Sequence, residues 1–242
     1  MNKPKILVSS CIRNRAWILP KYLEAILNIK YDGIFDCFFL ENDSTDNSLQ
    51  ILEDFSYENY DDLNIGISTI NSCDNIPDET RTQYRLNGYK HLADIRNKLL
   101  DNILSFYNDY EYVLFIDSDI VVPSNIIDEL LKYADNKTIV AAAISNIPNR
   151  TVDGTTPCNF MKLNGNRMEH MVKYPTSGVI EVDLTGAVYL VPMQCLKDGV
   201  RYDANQQGED NPFCDSAKEK GYKLLVNLDC KPKHYMVKGE NK

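Results

Sequence analysis

Apolar and polar positions along this chain change period several times. Lys5–Ser10 is a short apolar run that predicts a buried strand. Trp17–Ile29 then spaces Trp17, Ile18, Tyr22, Ala25, Ile26 and Ile29 at helical intervals. Phe35–Leu40 predicts a second strand, and Ser44-Thr45-Asp46 is placed to cap a helix through Phe55. Leu63–Ser68 predicts a third strand. After a polar stretch from Asn71 to Asn87, Tyr89–Phe106 predicts a long helix with Leu92, Ile95, Leu99, Ile103 and Phe106 on one face. Tyr112–Ile116 predicts a fourth strand, Ser124–Tyr133 a helix with Ser124 as N-cap, and Ile139–Ile144 a fifth strand. This β-α-β-α rhythm predicts an α/β fold with a mostly parallel central sheet flanked by helices. Ligands of such sheets sit at the carboxyl ends of the strands.

Beyond residue 145 the rhythm breaks. Asn146 to Ser177, rich in Pro, Gly, Asn and Thr, reads as an irregular excursion. Ile180–Val182 and Val188–Val191 predict short strands flanking Asp183-Leu184-Thr185-Gly186. Pro212–Lys220 predicts a short helix and Leu224–Leu228 a late strand. No repeat or linker divides the chain, so one domain is expected, residues 1–122 forming one half and 123–242 the other.

Composition narrows the possibilities. At 43% hydrophobic and 25% charged, the chain has the make-up of a soluble globular protein. A net charge of −9 argues against a nucleic-acid binder. No apolar run is long enough to span a bilayer, and the start lacks the apolar region of a signal peptide, so a cytoplasmic location is expected. The seven cysteines have no C-x-x-C spacing, so neither a zinc cage nor a dithiol redox site is indicated. Cys37 and Cys195 lie in apolar runs and read as buried hydrophobes.

The candidate chemistry centres on Asp117-Ser118-Asp119, where an apolar strand runs into paired carboxylates. Buried acids at a strand end need a positive partner. Strand alternation would put both side chains on one side, converging on a hard cation completed by phosphate oxygens. Taken alone, the triplet also reads as a surface turn. Glu41-Asn42-Asp43-Ser44-Thr45-Asp46 can read a nucleobase or ribose, or simply cap a helix. Arg96 could clamp a base or diphosphate, as could Arg13 and Arg15, or form a surface salt bridge with Asp94 or a neighbouring strand end. Glu209-Asp210 after Gly208 suits a helix start, and a carboxylate there could serve as general base. His234, beside Lys231 and Lys233, could join a cation and a diphosphate, although a lone histidine is more often structural.

These segments, in this order, resemble the glycosyltransferases of the GT-A fold, both the family 2 group and the related Anp1/mannosyltransferase group. Cys11-Ile12-Arg13-Asn14-Arg15 resembles the first-strand loop P-T-x-N-R, and Glu41 to Asp46 the nucleoside segment D-D-G-S-T-D. Ala93-Asp94-Ile95-Arg96-Asn97 is similar to A-x-A-R-N, and Asp117-Ser118-Asp119 to the D-x-D metal motif. Thr185-Gly186-Ala187 resembles the glycine loop near the sugar, and Gly208-Glu209-Asp210 with Phe213-Cys214 the G-E-D-x-D-F/L-C signature. Asp43 stands where the family has glycine, a change expected to alter the turn.

The resemblance implies transfer of a sugar from a UDP-, GDP- or dTDP-linked donor to a hydroxyl acceptor, expected to be a carbohydrate. It makes Asp117, Asp119 and His234 ligands of Mn²⁺ or Mg²⁺, with Asp117 alternatively on the donor ribose. It places Cys11, Arg13, Glu41, Asn42, Arg96, Asp117, Ser118 and Gly186 on the nucleotide sugar. Asp210 becomes the general base of an inverting reaction, with Glu209 positioning the acceptor. Residues 1–122 become the donor half and 123–242 the acceptor half, and the 146–177 excursion is expected to shape the acceptor site. The Anp1 group is retaining, so retention stands as an alternative, as does a module that binds without catalysis. A sugar-1-phosphate nucleotidyltransferase is disfavoured, because Ser9-Ser10-Cys11-Ile12-Arg13 lacks the glycines that hold a triphosphate.

Overall fold

The computed structural model describes residues 3–71, 86–147, 150–165 and 167–236. Most of the polar stretch from Asn71 to Asn87, and Cys73 within it, lies outside the described residues. Strands β1 (Ile6–Ile12), β2 (Phe35–Asn42), β3 (Ile65–Ile70), β4 (Tyr112–Ile116), β6 (Thr138–Ala142), β9 (Val179–Glu181), β10 (Val188–Pro192) and β11 (Lys223–Asn227) form an eight-stranded sheet. Its order is β3-β2-β1-β4-β10-β6-β11-β9. β10 and β9 run antiparallel to their neighbours, and the remaining pairs are parallel.

Continuous apolar runs make the central strands because both of their faces are covered. Ile6 and Val8 enter one core and Leu7 the other, and Leu114 and Ile116 alternate with Val113 and Phe115 in the same way. Helices α1 (Leu19–Leu27), α2 (Ser48–Glu58) and α4 (Ile126–Leu131) cover the first face. Helices α3 (Leu86–Phe106), α5 (Met193–Lys197) and α6 (Asp210–Glu219) cover the second. Buried hydroxyls are bonded rather than stranded: Ser9 Oγ donates to Phe38 O at 2.8 Å, and Ser10 and Tyr22 share a hydrogen bond.

Several expectations need correction. The sheet is mostly parallel, as expected, but its order is not: β10, from the second half, wedges antiparallel between β4 and β6. Phe106, the last residue of α3, faces solvent at 73% exposed and does not join the apolar face. Asp46 caps α2 as expected, its Oδ1 accepting Ser48 N–H at 3.0 Å, whereas the residue before α4 is Asn125 and not Ser124. The 146–177 excursion contains a hairpin, β7 (Met161–Asn164) and β8 (Arg167–His170), with Gly165 at positive φ in its turn. The short strands β5 (Ile120–Val121) and β12 (Lys233–His234) pair antiparallel, which the sequence pattern did not foretell. Cys37 and Cys195 are buried, as their apolar surroundings suggested. Among the described residues, no helix is long and apolar enough to cross a membrane.

Leu190, fully buried in β10 between β4 and β6, tests how far the inserted strand holds the sheet together. Leu190→Ala is expected to cost roughly 2–5 kcal/mol by urea denaturation. A loss under about 1 kcal/mol would mean that β10 is dispensable to the core.

Candidate active site

Two loops at the carboxyl ends of β1 and β2 are stitched together by bonds between side chains and backbone. Asn14 N–H donates to Ser44 Oγ (3.0 Å), Thr45 N–H to Asn14 Oδ1 (2.8 Å), and Ala16 N–H to Asp46 Oδ2 (3.0 Å). Asn14 and Asp43 both sit at φ 49°, the left-handed region that Asn and Asp tolerate best among residues other than glycine. Asp43 therefore keeps a conformation open to glycine. The buried Glu41 carboxylate accepts Ser44 N–H at 2.7 Å and so braces the same turn.

Between these loops and the start of α3 opens a cleft of about 310 Å³. Cys11, Arg13, Asn42 and Ser118 line it, together with Tyr89 and Leu92, whereas Glu41, Arg96 and Gly186 do not. Asn42 is buried with Oδ1 lacking a hydrogen-bond partner, which suits it to a ligand N–H. Burial pushes the Cys11 thiol up to about 12, so it stays neutral and meets a ligand as an apolar surface.

Asp117 and Asp119 lie in a turn and not on the strand: β4 ends at Ile116, and Ile120 N–H closes back on Asp117 O at 3.0 Å. The strand-alternation argument for their convergence therefore fails. They take separate partners. Asp117 Oδ1 accepts from Arg96 Nη2 at 3.1 Å. Asp119 Oδ2 is 3.4 Å from Arg15 Nη2, and its Oδ1 is 3.5 Å from His234 Nε2. The β5–β12 pairing delivers His234, and Tyr235 N–H anchors it by donating to Asp119 O at 2.9 Å. Burial raises the Asp119 carboxyl, but His234 and Arg15 outweigh it and hold the group below the usual carboxylate range. Burial disfavours the His234 cation, yet Asp119 wins and raises its pKa.

Arg96 is not a surface residue paired with Asp94. It is buried, with Nε 3.3 Å from Glu209 Oε1 and its guanidinium 5.3 Å from the Tyr202 ring centroid. Burial works against its charge, and Asp117 and Asp210 more than restore it. Tyr202 is hydrogen-bonded to Tyr189, and Asn97 holds its backbone at both ends, accepting from Tyr202 N–H (2.9 Å) and donating to its O (2.8 Å). Sequence reasoning missed Tyr189, Tyr202 and Asn97. Only the asparagine carried a signal, as the residue after Arg96.

Glu209 and Asp210 begin α6 just after Gly208, whose φ of 114° only glycine adopts readily. Both are buried, and burial raises both carboxyls. Arg96 opposes the rise at Glu209. At Asp210 burial and the Glu209 charge together push the carboxyl up to about 8. Asp210 Oδ1 has no hydrogen-bond partner. Gly186 packs directly on this carboxylate, where any added Cβ would collide with it. Ala187 O accepts Asp117 N–H at 2.8 Å, so one loop touches both Asp210 and the acidic turn.

Among the described residues, no group of three or more His, Cys, Asp and Glu side chains could hold a metal ion. Asp119 and His234 do face one another, and a carboxylate with an imidazole suits Mn²⁺ when a ligand supplies further oxygens.

A family model described as Anp1 matches residues 1–160. No curated protein sequence matches the chain. Among solved structures, TarS 1-349 of S. aureus in complex with UDP-GlcNAc aligns at a TM-score of 0.62 and 16% identity, over 98% of this chain and 61% of that one. GalNAc-T7 with UDP, GalNAc and Mn²⁺ aligns at 0.66 and 12% identity, over 98% and 45%. The mannosyltransferase PcManGT from Pyrobaculum calidifontis, with GDP-Man and Mn²⁺, aligns at 0.60 and 13% identity, over 99% and 59%. The fold is thus that of the GT-A glycosyltransferases, and the chain spans less than two thirds of the length of these structures.

The raised Asp210 carboxyl has a stability consequence with a definite sign. Its neutral form is favoured in the folded protein, so its contribution is full below the unfolded value near 3.8 and is lost as pH rises through about 8. Asp210→Asn, neutral at every pH, is expected to match the wild type near pH 4 and to be more stable than it at pH 8. Chemical denaturation at the two pH values checks this, and an unchanged gap between them would contradict the buried-acid account.

Proposed function

This chain belongs to the Anp1 family, a group of GT-A glycosyltransferases, and on that premise we propose that it transfers a sugar from a nucleotide-sugar donor to a hydroxyl acceptor. The reading is carried by one observation: Arg96 draws the acidic turn at the end of β4 and the Glu209-Asp210 pair into one buried cluster. In this reading the cleft takes the nucleoside, with Asn42 hydrogen-bonding the base and Cys11, Arg13 and Ser118 lining its path. Asp119 and His234 hold Mn²⁺ or Mg²⁺, with Asp117 on the cation or the donor ribose. When bound, the cation neutralises the diphosphate that leaves. Arg13 and Arg15 add positive charge on the same side. Glu41 acts through the turn it braces and Gly186 through the space it leaves for Asp210.

Asp210 accepts the proton of the attacking hydroxyl, and in-line displacement then inverts the anomeric centre. Glu209, held by Arg96, positions the acceptor side. Family membership favours a second reading, retention, in which Asp210 positions the acceptor without acting as base. The UDP, GDP-mannose and Mn²⁺ of the related structures support a nucleotide-sugar donor and a divalent cation, and leave the choice of sugar to experiment.

Metal-dependent release of nucleoside diphosphate from one member of a UDP-, GDP- and dTDP-sugar panel is expected, abolished by EDTA and by Asp119→Asn. Binding of a donor without release under any metal would leave a binding module instead. Asp210→Asn is expected to lower kcat by about 10²–10⁴-fold with donor affinity unchanged. Because the free carboxyl titrates at about 8, kcat/KM should rise with pH toward that value in the wild type and lose this limb in the variant. The anomeric configuration of the product, read by proton NMR, decides between inversion and retention.

A further inference from the structure

A second pocket, of about 340 Å³, has His234 in its wall and shares no lining residue with the cleft. Its lining brings together Arg150, Lys231, Lys233 and His234 with Ser145 and Thr151. No Asp or Glu is among its lining residues. In a chain with 35 acidic and 26 basic side chains, such a collection is a local reversal of the field. None of the three cations is ion-paired among the described residues. Lys231 Nζ donates to Thr176 O at 3.2 Å, and Lys233 Nζ lies 4.7 Å from the Tyr235 ring centroid. Arg150, Lys231 and Lys233 are exposed, so a ligand that displaces these weak contacts meets no burial penalty on their charge.

The pocket also joins the two ends of the proposed chemistry. His234 is shared with Asp119. Beside Ser145, Ile144 N–H donates to Asn159 Oδ1 at 2.8 Å, and Asn159 Nδ2 donates onward to Gly186 O at 2.8 Å. Gly186 is the residue packed against Asp210. The pocket is thus tied to the acceptor side of the site, and only His234 is shared between it and the residues assigned to the donor.

We infer that this pocket binds a phosphate group carried by the acceptor, with Arg150, Lys231 and Lys233 as its counter-charges. The inference rests on the transferase reading and deepens it: the acceptor is an anionic, phosphate-bearing saccharide and not a neutral glycan. A guanidinium and two ammonium groups around a cavity match a phosphate's oxygens by charge-assisted hydrogen bonds. A neutral sugar would bring no counter-charge to these groups.

Equilibrium binding tests this without requiring turnover. Mannose 6-phosphate and mannose serve as soluble probes, a polyprenyl phosphomannose in vesicles as the lipid-borne one, and UDP and GDP report on the donor side. The full chain is expected to bind the phosphorylated sugar more tightly than mannose, and the doubly substituted Arg150→Gln, Lys231→Gln protein to lose about tenfold or more. Both positions are exposed, and an unchanged melting temperature verifies the fold. Arg150→Lys in the Lys231 background should keep most of the affinity. Binding of the vesicle probe alone would assign the phosphate to a lipid carrier; binding of the soluble probe assigns it to the glycan.

Two outcomes overturn the proposal: no preference for phosphate in the wild type, or an equal loss of UDP or GDP affinity in the double variant, which would give the pocket to the donor's diphosphate. A protein that binds the phosphosugar in this cation-dependent way but no nucleotide would instead sink the transferase reading and leave the pocket standing.

Discussion

A buried guanidinium organises this molecule's working end. Arg96 projects from a helix that otherwise packs apolar residues on the sheet, and it meets Asp117 from the β4 turn and Glu209 from the start of α6. Burying one charge alone is prohibitive, and burying acids without a cation is equally so. The three elements can approach only because Arg96 is there, and Arg96 can be buried only because they answer it. The stack on Tyr202, itself bonded to Tyr189 and fixed by Asn97, removes the guanidinium's remaining freedom to swing. Interactions of this kind contribute little net stability, and their effect is to make one arrangement of loops the only satisfied one.

Around that node the backbone carries much of the shaping. Asn14 and Asp43 accept left-handed conformations, and their loops then exchange hydrogen bonds in both directions. Gly186 leaves the volume that the Asp210 carboxylate fills. Such positions hold strain or closeness that the surrounding contacts must over-determine, and they gather at functional sites for that reason.

What the sequence disclosed follows from what kind of information each feature carries. Strand and helix positions were legible because apolar periodicity is local, and β1, β2 and β4 fall where their runs predict. The insertion of β10 was not legible, since strand order depends on contacts between distant segments. The same holds for the β5–β12 pairing: nothing near His234 announces that Ile120 lies opposite it. Asp117-Ser118-Asp119 was visible as a motif, yet the reason offered for its geometry was wrong, because the strand stops one residue short of it. Arg96 shows the limit most plainly. Its neighbours along the helix suggested a surface pair with Asp94 or a strand end; the strand-end partner is Asp117, 21 positions away, and Glu209, 113 positions away, was not foreseen.

The adjacent acids Glu209 and Asp210 illustrate how a fold can give like residues different work. Both are buried at one helix start, so desolvation alone would treat them alike. Arg96 breaks the symmetry by approaching Glu209, whose charge it supports. Glu209 in turn raises Asp210 further, while Asp210 Oδ1 has no hydrogen-bond partner among the described residues. Two carboxyls with different partners in this way are suited to separate tasks, one held by the guanidinium and one left with an oxygen open to a ligand. The division depends on Arg96 as much as on either acid, and this links the acidic turn, the helix start and the proton chemistry into one electrostatic unit.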